Sequence, residues 1–417
     1  MRQGRTQQIL LLSVVVQLNQ IMLYLAYRRR VILTYLYIKL RYIGPRRTWE
    51  PQNLPLDFYL SKGPVEFRTF FRMDYTTFDK LVTRLKTKYD NYSRMTISHR
   101  ELFAWKLGVY VRFLARGECL NSLKIKFGCC KETARSSIHT FRKLLLYSFS
   151  NAFAIDLEDE NALKTSREAI LNVSGLDGFS FIMDGTHFPI RQLPKDTVKA
   201  CFYNRKGFKS LGAQAVINAQ FQVVSFDIGY PGSTNDSTMF SSSNFKVKLE
   251  EIYQKYNGQY SCMADNGYSF REYVMAPYTA YEILKYPNSE VSKLQFNAIF
   301  SSVRQAVERV FGVLQRKFYI LVIGCEYTLE AYIEFIQSCV IIHNFMIDEE
   351  ESYKHCIMHD SWTFDGLPTG VAEALAQLNS LREDESFITE NDNIALAVGQ
   401  HKRDLLRVNM PNVVQRV

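Results

Sequence analysis

An α/β fold preceded by an all-helical region is predicted by three features of this 417-residue chain. Apolar and aromatic residues recur at three- and four-residue steps up to about residue 150, as in Phe67, Phe70, Phe71, Tyr75, Phe78, Leu81, Val82 and Leu85. From residue 179 the pattern becomes short β-type runs at 179–183, 213–218, 223–228 and 261–264. Helical periodicity returns at 236–256, 303–318 and 329–346. Three strands in meander, a helix, a fourth strand and further helices is the chain order of a ribonuclease H-like core, a mixed sheet flanked by helices.

In order along the chain, residues 1–64 read as a basic, apolar N-terminal segment and linker, 65–150 as a helical region, 151–178 as a charged connector, 179–347 as the α/β domain and 348–417 as an acidic tail. Residues 1–50 hold nine Lys or Arg against one Glu, whereas 348–392 hold twelve acids against Lys354 and Arg382. A basic front suits a polyanion, and an acidic rear suits self-masking or a protein partner. The apolar run 9–27 is interrupted by Ser13, Gln17, Asn19 and Gln20 and followed by Arg28, Arg29 and Arg30, so it reads as a buried or partner-facing helix and not as a membrane span. Eight cysteines, none at CxxC spacing, read as reduced, buried thiols of an intracellular protein and not as zinc ligands. With no P-loop or GxGxxG, nothing supports nucleotide-dependent chemistry.

Within the helical region, a short helix ending at Phe127, a turn at Gly128 and a second helix opening at Lys131 have the layout of a helix-turn-helix. Lys131, Thr133 and Arg135 then stand on the first turns of the second helix, which touch bases and phosphates in that motif. Any three-helix bundle contains such a turn, and that is the structural alternative.

The acidic residues carry the chemistry. The run 179–183 ends on Asp184, beside Gly185 and His187, and 261–264 ends on Asp265. In the predicted core these two strands are neighbours, so the two carboxylates meet, and Glu308 approaches from a helix one turn beyond Arg304. Such an oxygen-only site suits Mg²⁺ or Mn²⁺. Two such ions about 3.5–4 Å apart activate a hydroxyl and stabilise the leaving oxygen of a phosphodiester. Asp236 is the rival to Asp265, with an N-cap or first-turn role as its structural alternative. For Glu308 the alternative is a salt bridge to Arg304 at helical spacing. Between the first two strands, Arg191, Lys195, Lys199, Arg205, Lys206 and Lys209 alternate with Phe202, Tyr203 and Phe208, the composition of a phosphate-holding loop or of a solvated one.

Seven ordered blocks resemble the PIF/Harbinger transposases and their domesticated nuclease relatives. They are Asp184-Gly-Thr-His187, Asn204-Arg-Lys-Gly207, Gly229-Tyr-Pro-Gly-Ser-Thr-Asn-Asp236, Asp265-Asn-Gly-Tyr268, Ala276-Pro-Tyr278, Arg304-x-x-x-Glu308-Arg-x-Phe-Gly312 and Ile342-His-Asn-Phe345. The similarity runs from about residue 66 to 347 and includes Phe67-Arg-x-x-Phe-Arg72. It implies a DDE-type endonuclease using a divalent metal, Mg²⁺ or Mn²⁺, on DNA, with Asp184, Asp265, Glu308 and Asp236 as catalytic and metal-holding residues and His187 and Arg304 supporting them. It also implies a nuclear protein, with the cytoplasm as a second location, a Myb-like DNA-binding partner and a homo-oligomer. Asn235 departs from the family, which commonly has histidine before this aspartate, and removes a titrating group there.

Overall fold

The sheet grows outward from β1 (Phe179–Pro189), which pairs antiparallel with β2 (Ser210–Ile217), as β2 does with β3 (Val223–Pro231). Two helices, α8 (Asp236–Ser242) and α9 (Asn244–Lys255), then cross over and deliver β4 (Ser261–Met263) parallel to the other edge of β1, with β5 (Val274–Met275) beyond it. The order β3-β2-β1-β4-β5 is that of a ribonuclease H-like core. This computed structural model describes residues 55–92, 100–153, 159–193, 198–268, 270–285, 289–358, 400 and 402–407. The apolar run 9–27, Arg46, Trp49, Lys195 and most of the acidic tail lie outside the described residues. Among the described residues, no helix is long and apolar enough to cross a membrane.

Among the described residues, seven helices precede the sheet: α1 (Pro55–Lys62), α2 (Pro64–Phe71), α3 (Tyr75–Tyr92), α4 (Arg100–Arg116), α5 (Leu120–Lys126), α6 (Lys131–Ser148) and α7 (Glu160–Ser174). Two of them correct the sequence reading. Residues 55–62, read as linker, form α1, and Pro64 starts α2 in the first turn, where its missing N–H costs nothing. The connector contains α7, whose charged face masks a buried stripe of Leu163, Ser166 and Ile170 and whose ends are set by an Asp159 cap and a left-handed Gly175. The expected helix 236–256 is two helices, because Ser243 leaves the helical backbone and caps the second one. After the sheet come α10 (Ala280–Lys285), α11 (Glu290–Lys317), α12 (Ile320–Ile323), α13 (Leu329–Glu349) and α14 (Glu351–Met358). Cysteine burial also differs from expectation: Cys262 and Cys339 are buried, but Cys119, Cys130 and Cys201 are exposed.

The Ile342-His-Asn-Phe345 block turns out to be a clamp between α13 and the turn from β2 to β3. Asn344 accepts from the Val223 N–H at 2.9 Å and donates to the Val223 carbonyl at 2.8 Å, completing both backbone groups where β3 begins. His343 is fully buried; its Nε2 donates to the Phe221 carbonyl at 3.0 Å, so its Nδ1 accepts from the Tyr353 hydroxyl at 2.7 Å. Burial pushes the His343 pKa down to about 4, which keeps the ring neutral. The helical region is tied to the same helix by the buried Tyr110–Ser338 hydrogen bond and by Arg142 and Lys143 on Glu334. Elsewhere, Arg403 from the C-terminal segment donates to the carbonyls of Ala276 and Pro277, and Asp404 accepts from the Tyr278 hydroxyl at 2.7 Å. Replacing Asn344 by Ala leaves two buried backbone groups of Val223 unpaired, and the expected loss is about 3 kcal/mol in urea unfolding; an unchanged midpoint would contradict the clamp.

Candidate functional site

Strand β1 does not stop at Asp184. It continues to Pro189, paired with β2 throughout, while its pairing with β4 ends at Ile182. Asp184 therefore sits in mid-strand, just past the point where the parallel neighbour departs, and its Oδ1 accepts from the Gly185 N–H at 2.9 Å. Asp265, two residues beyond β4, accepts from the Gly267 N–H at 2.8 Å through its own Oδ1.

Asp236 joins them because its structural alternative is taken by its neighbour. Asn235 caps α8, accepting from the Thr238 N–H at 2.8 Å, and so Asp236 is left with a carboxylate free of capping duty. That carboxylate occupies the room left by two glycines. A Cβ at residue 185 would stand 2.3 Å from Asp236 Oδ1, and one at residue 267 would stand 3.0 Å from both Asp236 Oδ2 and Asp265 Oδ1. Gly185 is thus required for the space it leaves in a continuing strand and not for a turn.

Arg304 approaches Asp184 from mid-α11. It donates to Asp184 Oδ2 at 3.0 Å and to Glu308 Oε1 at 2.5 Å, bridging the two acids. Burial raises the Asp184 pKa to about 6; Arg304 pulls it back, and Asp265 and Glu308 add to the rise. Burial and Asp265 also push Asp236 up, with Arg205 drawing it down. Burial works against the charge on Arg304, but Asp184 and Glu308 outweigh it and raise its pKa. Among the described residues, no three carboxylate, imidazole or thiol groups stand close enough together to hold a metal ion, and Arg304 is the cation that Asp184 and Glu308 share.

Sequence reasoning assigned no role to Tyr268. Its hydroxyl is buried, has no hydrogen-bond partner among the described residues, and is pushed up by burial and then by Asp236, Asp184 and Asp265. The only signal in the sequence was its place in the Asp265-Asn-Gly-Tyr268 block.

The basic loop is a tight hairpin. Asn204 accepts from the N–H groups of Lys206 and Phe208 and donates to Ser210 Oγ, which lies 3.2 Å from His187 Nδ1. Arg205 and Lys206 are exposed at its tip, and Lys209 lies 5.6 Å over the Tyr203 ring. Burial, then Arg205 and Lys206, lower the His187 pKa, so the ring is neutral near neutral pH. On α6, Lys131 and Arg135 are exposed, Arg135 pairs with Glu132, and the Thr133 hydroxyl is engaged by Cys130, the residue that caps the helix.

Residues 183–344 match the family described as DDE superfamily endonuclease. The matched segment, similar to DDE endonuclease domains, contains most of the ribonuclease H-like sheet. More particularly, the chain is homologous to two kinds of protein. One is "Putative nuclease HARBI1" of Homo sapiens, 21% identical over 193 residues, 46% of this chain and 52% of that protein. The other is Protein ALP1-like of Arabidopsis thaliana, 24% identical over 305 residues, 70% of this chain and 73% of that protein. The chain spans about half the length of HARBI1. A solved pre-cleavage Mos1 transpososome aligns at 12% identity and a TM-score of 0.18, over 67% of this chain and 92% of that one.

Two measurements test this geometry. The Asp184 pKa is higher in the fold than in the unfolded chain, so ionisation from about pH 4 to 6 costs native stability. The advantage of Asp184→Asn over wild type in unfolding free energy is therefore expected to grow by roughly 3 kcal/mol between pH 4 and 7; a flat difference would refute the buried charge. For Gly185→Ala, a double-mutant cycle with Asp236→Ala should return a coupling of about 1–2 kcal/mol, and additive costs would mean that the two sites do not touch.

Proposed function

We propose that this protein is a DNA endonuclease of transposase type, hydrolysing phosphodiester bonds at the carboxylate cluster with the help of Mg²⁺ or Mn²⁺. The observation that carries the reading is the convergence of Asp184, Asp236 and Asp265 beyond the end of β4, with the Arg205 hairpin beside them. The donor set fits a hard divalent cation: it offers oxygen only, and Asp184 and Asp236 are pushed toward protonation by burial and neighbouring acids, a repulsion that a cation would relieve. As they stand the acids are too far apart to hold an ion together, so Asp184, Asp236 and Asp265 would have to draw in on it, with Glu308 as a further ligand once released from Arg304. When bound, such an ion neutralises charge on the scissile phosphate and acidifies water.

The protein's own groups would do the rest. Arg205, Lys206 and Lys209 hold phosphates by charge, neutral His187 orients through Ser210, and Tyr268 offers its hydroxyl to the carboxylate cluster. Lys131, Thr133 and Arg135 on α6 would contact duplex DNA, with Thr133 exchanging Cys130 for a phosphate or base. A nuclear location, a Myb-like DNA-binding partner and self-association complete the proposal, supported by the Harbinger resemblance.

One observation favours a second reading, a DNA- or protein-binding module in which the acids serve structure: Arg304 already neutralises Asp184 and Glu308. Supercoiled plasmid with Mn²⁺ separates the two. Nicking is expected from the wild-type chain, and Asp184→Asn or Asp236→Asn should slow it by about two to three orders of magnitude. Equal nicking by both variants, or no nicking together with no metal-dependent shift in melting temperature, would defeat the nuclease proposal.

A further inference from the structure

A second basic site lies where the last turn of α11 meets the corner after α2. A cavity of about 450 Å³ is lined there by Arg68, Arg72, Arg316, Lys317, Glu350 and Ser352. Four cations face one acid, and that acid is already engaged: Glu350 pairs with Arg68 at 3.2 Å and accepts from the Asp74 N–H. Arg68 also grips Asp74 and donates to Ser352. Lys317 donates to the Arg72 carbonyl at 2.8 Å and lies 4.3 Å over the Tyr353 ring.

Arg72 and Arg316 are left unmatched. Arg316 is exposed and makes no ion pair among the described residues. The Nε of Arg72 is buried with no acceptor among the described residues. Burial lowers the Arg72 pKa, and the charges that reach it, Arg116 and Arg112, lower it further because they share its sign. A second, independent observation is the backbone at Arg72, with φ 63 and ψ 15. Left-handed backbone is ordinary for Gly and Asn and strained for a long side chain, so a less costly residue for this corner exists and is not used.

We propose that this cavity is a phosphate-binding site, with Arg72 and Arg316 as its ligating cations. The source we favour is the backbone of the DNA engaged at the carboxylates, an assignment that rests on the function proposed above. Arg316 follows Glu308 by eight residues in one helix, which places it about 12 Å further along the axis. That is the length of three to four nucleotide steps at about 3.4 Å each. Free phosphate offers the same oxyanion, and the experiment distinguishes the two.

The test uses the full chain in EDTA, so that no cleavage intervenes, with a short fluorescent duplex titrated between about 50 and 200 mM salt. Arg72→Gln and Arg316→Gln are each expected to reduce the slope of log K against log [salt] by about 0.9, one phosphate contact. In parallel, inorganic phosphate should raise the melting temperature of the wild-type chain and not of either variant. Loss of the phosphate response with an unchanged salt slope would keep the site and assign it to free phosphate. Unchanged slopes together with unchanged phosphate responses in both variants would overturn the proposal, and that holds whether or not the protein nicks DNA. Arg72→Gly guards against a purely structural role: relief of the left-handed backbone should raise the melting temperature while the phosphate response disappears. A fall in melting temperature with that response intact would count against the site.

Discussion

Asp184 and Asp236 are partly buried acids that each feel the charge of Asp265, and much of the surrounding architecture answers the cost of negative charge there. Burial is the first cause of the raised Asp184 and Asp236 pKa values, and the charge of nearby Asp265 adds to both. Arg304 is placed by a helix of 28 residues where it spans Asp184 and Glu308. Gly185 and Gly267 leave the space that the Asp236 carboxylate fills, and Asn235 takes over the cap that would otherwise occupy it.

Holding such a cluster requires rigid supports. The Asn344 clamp fixes the start of β3, the neutral His343 ties α13 to the preceding turn and to Tyr353, and Tyr110 joins the helical region to α13 through a buried hydroxyl pair. From Pro55 onward the described elements form one compact unit. In such a unit, the charge of the site and the packing of the core are parts of one energy balance.

The strand order and the acidic residues were legible in the sequence because they depend on period and on strand ends. The mixed sheet follows from short apolar runs in meander followed by a helical crossover, and Asp184 and Asp265 follow from where those runs stop. Local rules failed where a tertiary neighbour overrode them. The run 179–183 reads as ending on Asp184, yet β2 carries the strand on for five residues past it and Gly185 serves Asp236. Asp236 reads as a cap, yet Asn235 does that work, so the residue that breaks the family pattern is the one that frees the neighbouring acid. The charged face of α7 hid its buried stripe, and His343 and Asn344 gave no sign that they were structural, because their partners are about 120 residues away in the chain.

The hydrogen bond from the Gly185 N–H to Asp184 Oδ1 gives that carboxylate a second role. Once β4 has ended, β1 has an open edge there, and an unsatisfied amide in a half-buried strand is costly. Asp184 supplies by its own side chain the acceptor that a longer β4 would have supplied by its backbone. The residue is therefore a surrogate strand partner as well as a charge. Alanine at this position removes both at once, whereas asparagine keeps an oxygen for the amide and removes only the charge, so a comparison of the two separates the integrity of the sheet edge from the electrostatics of the site.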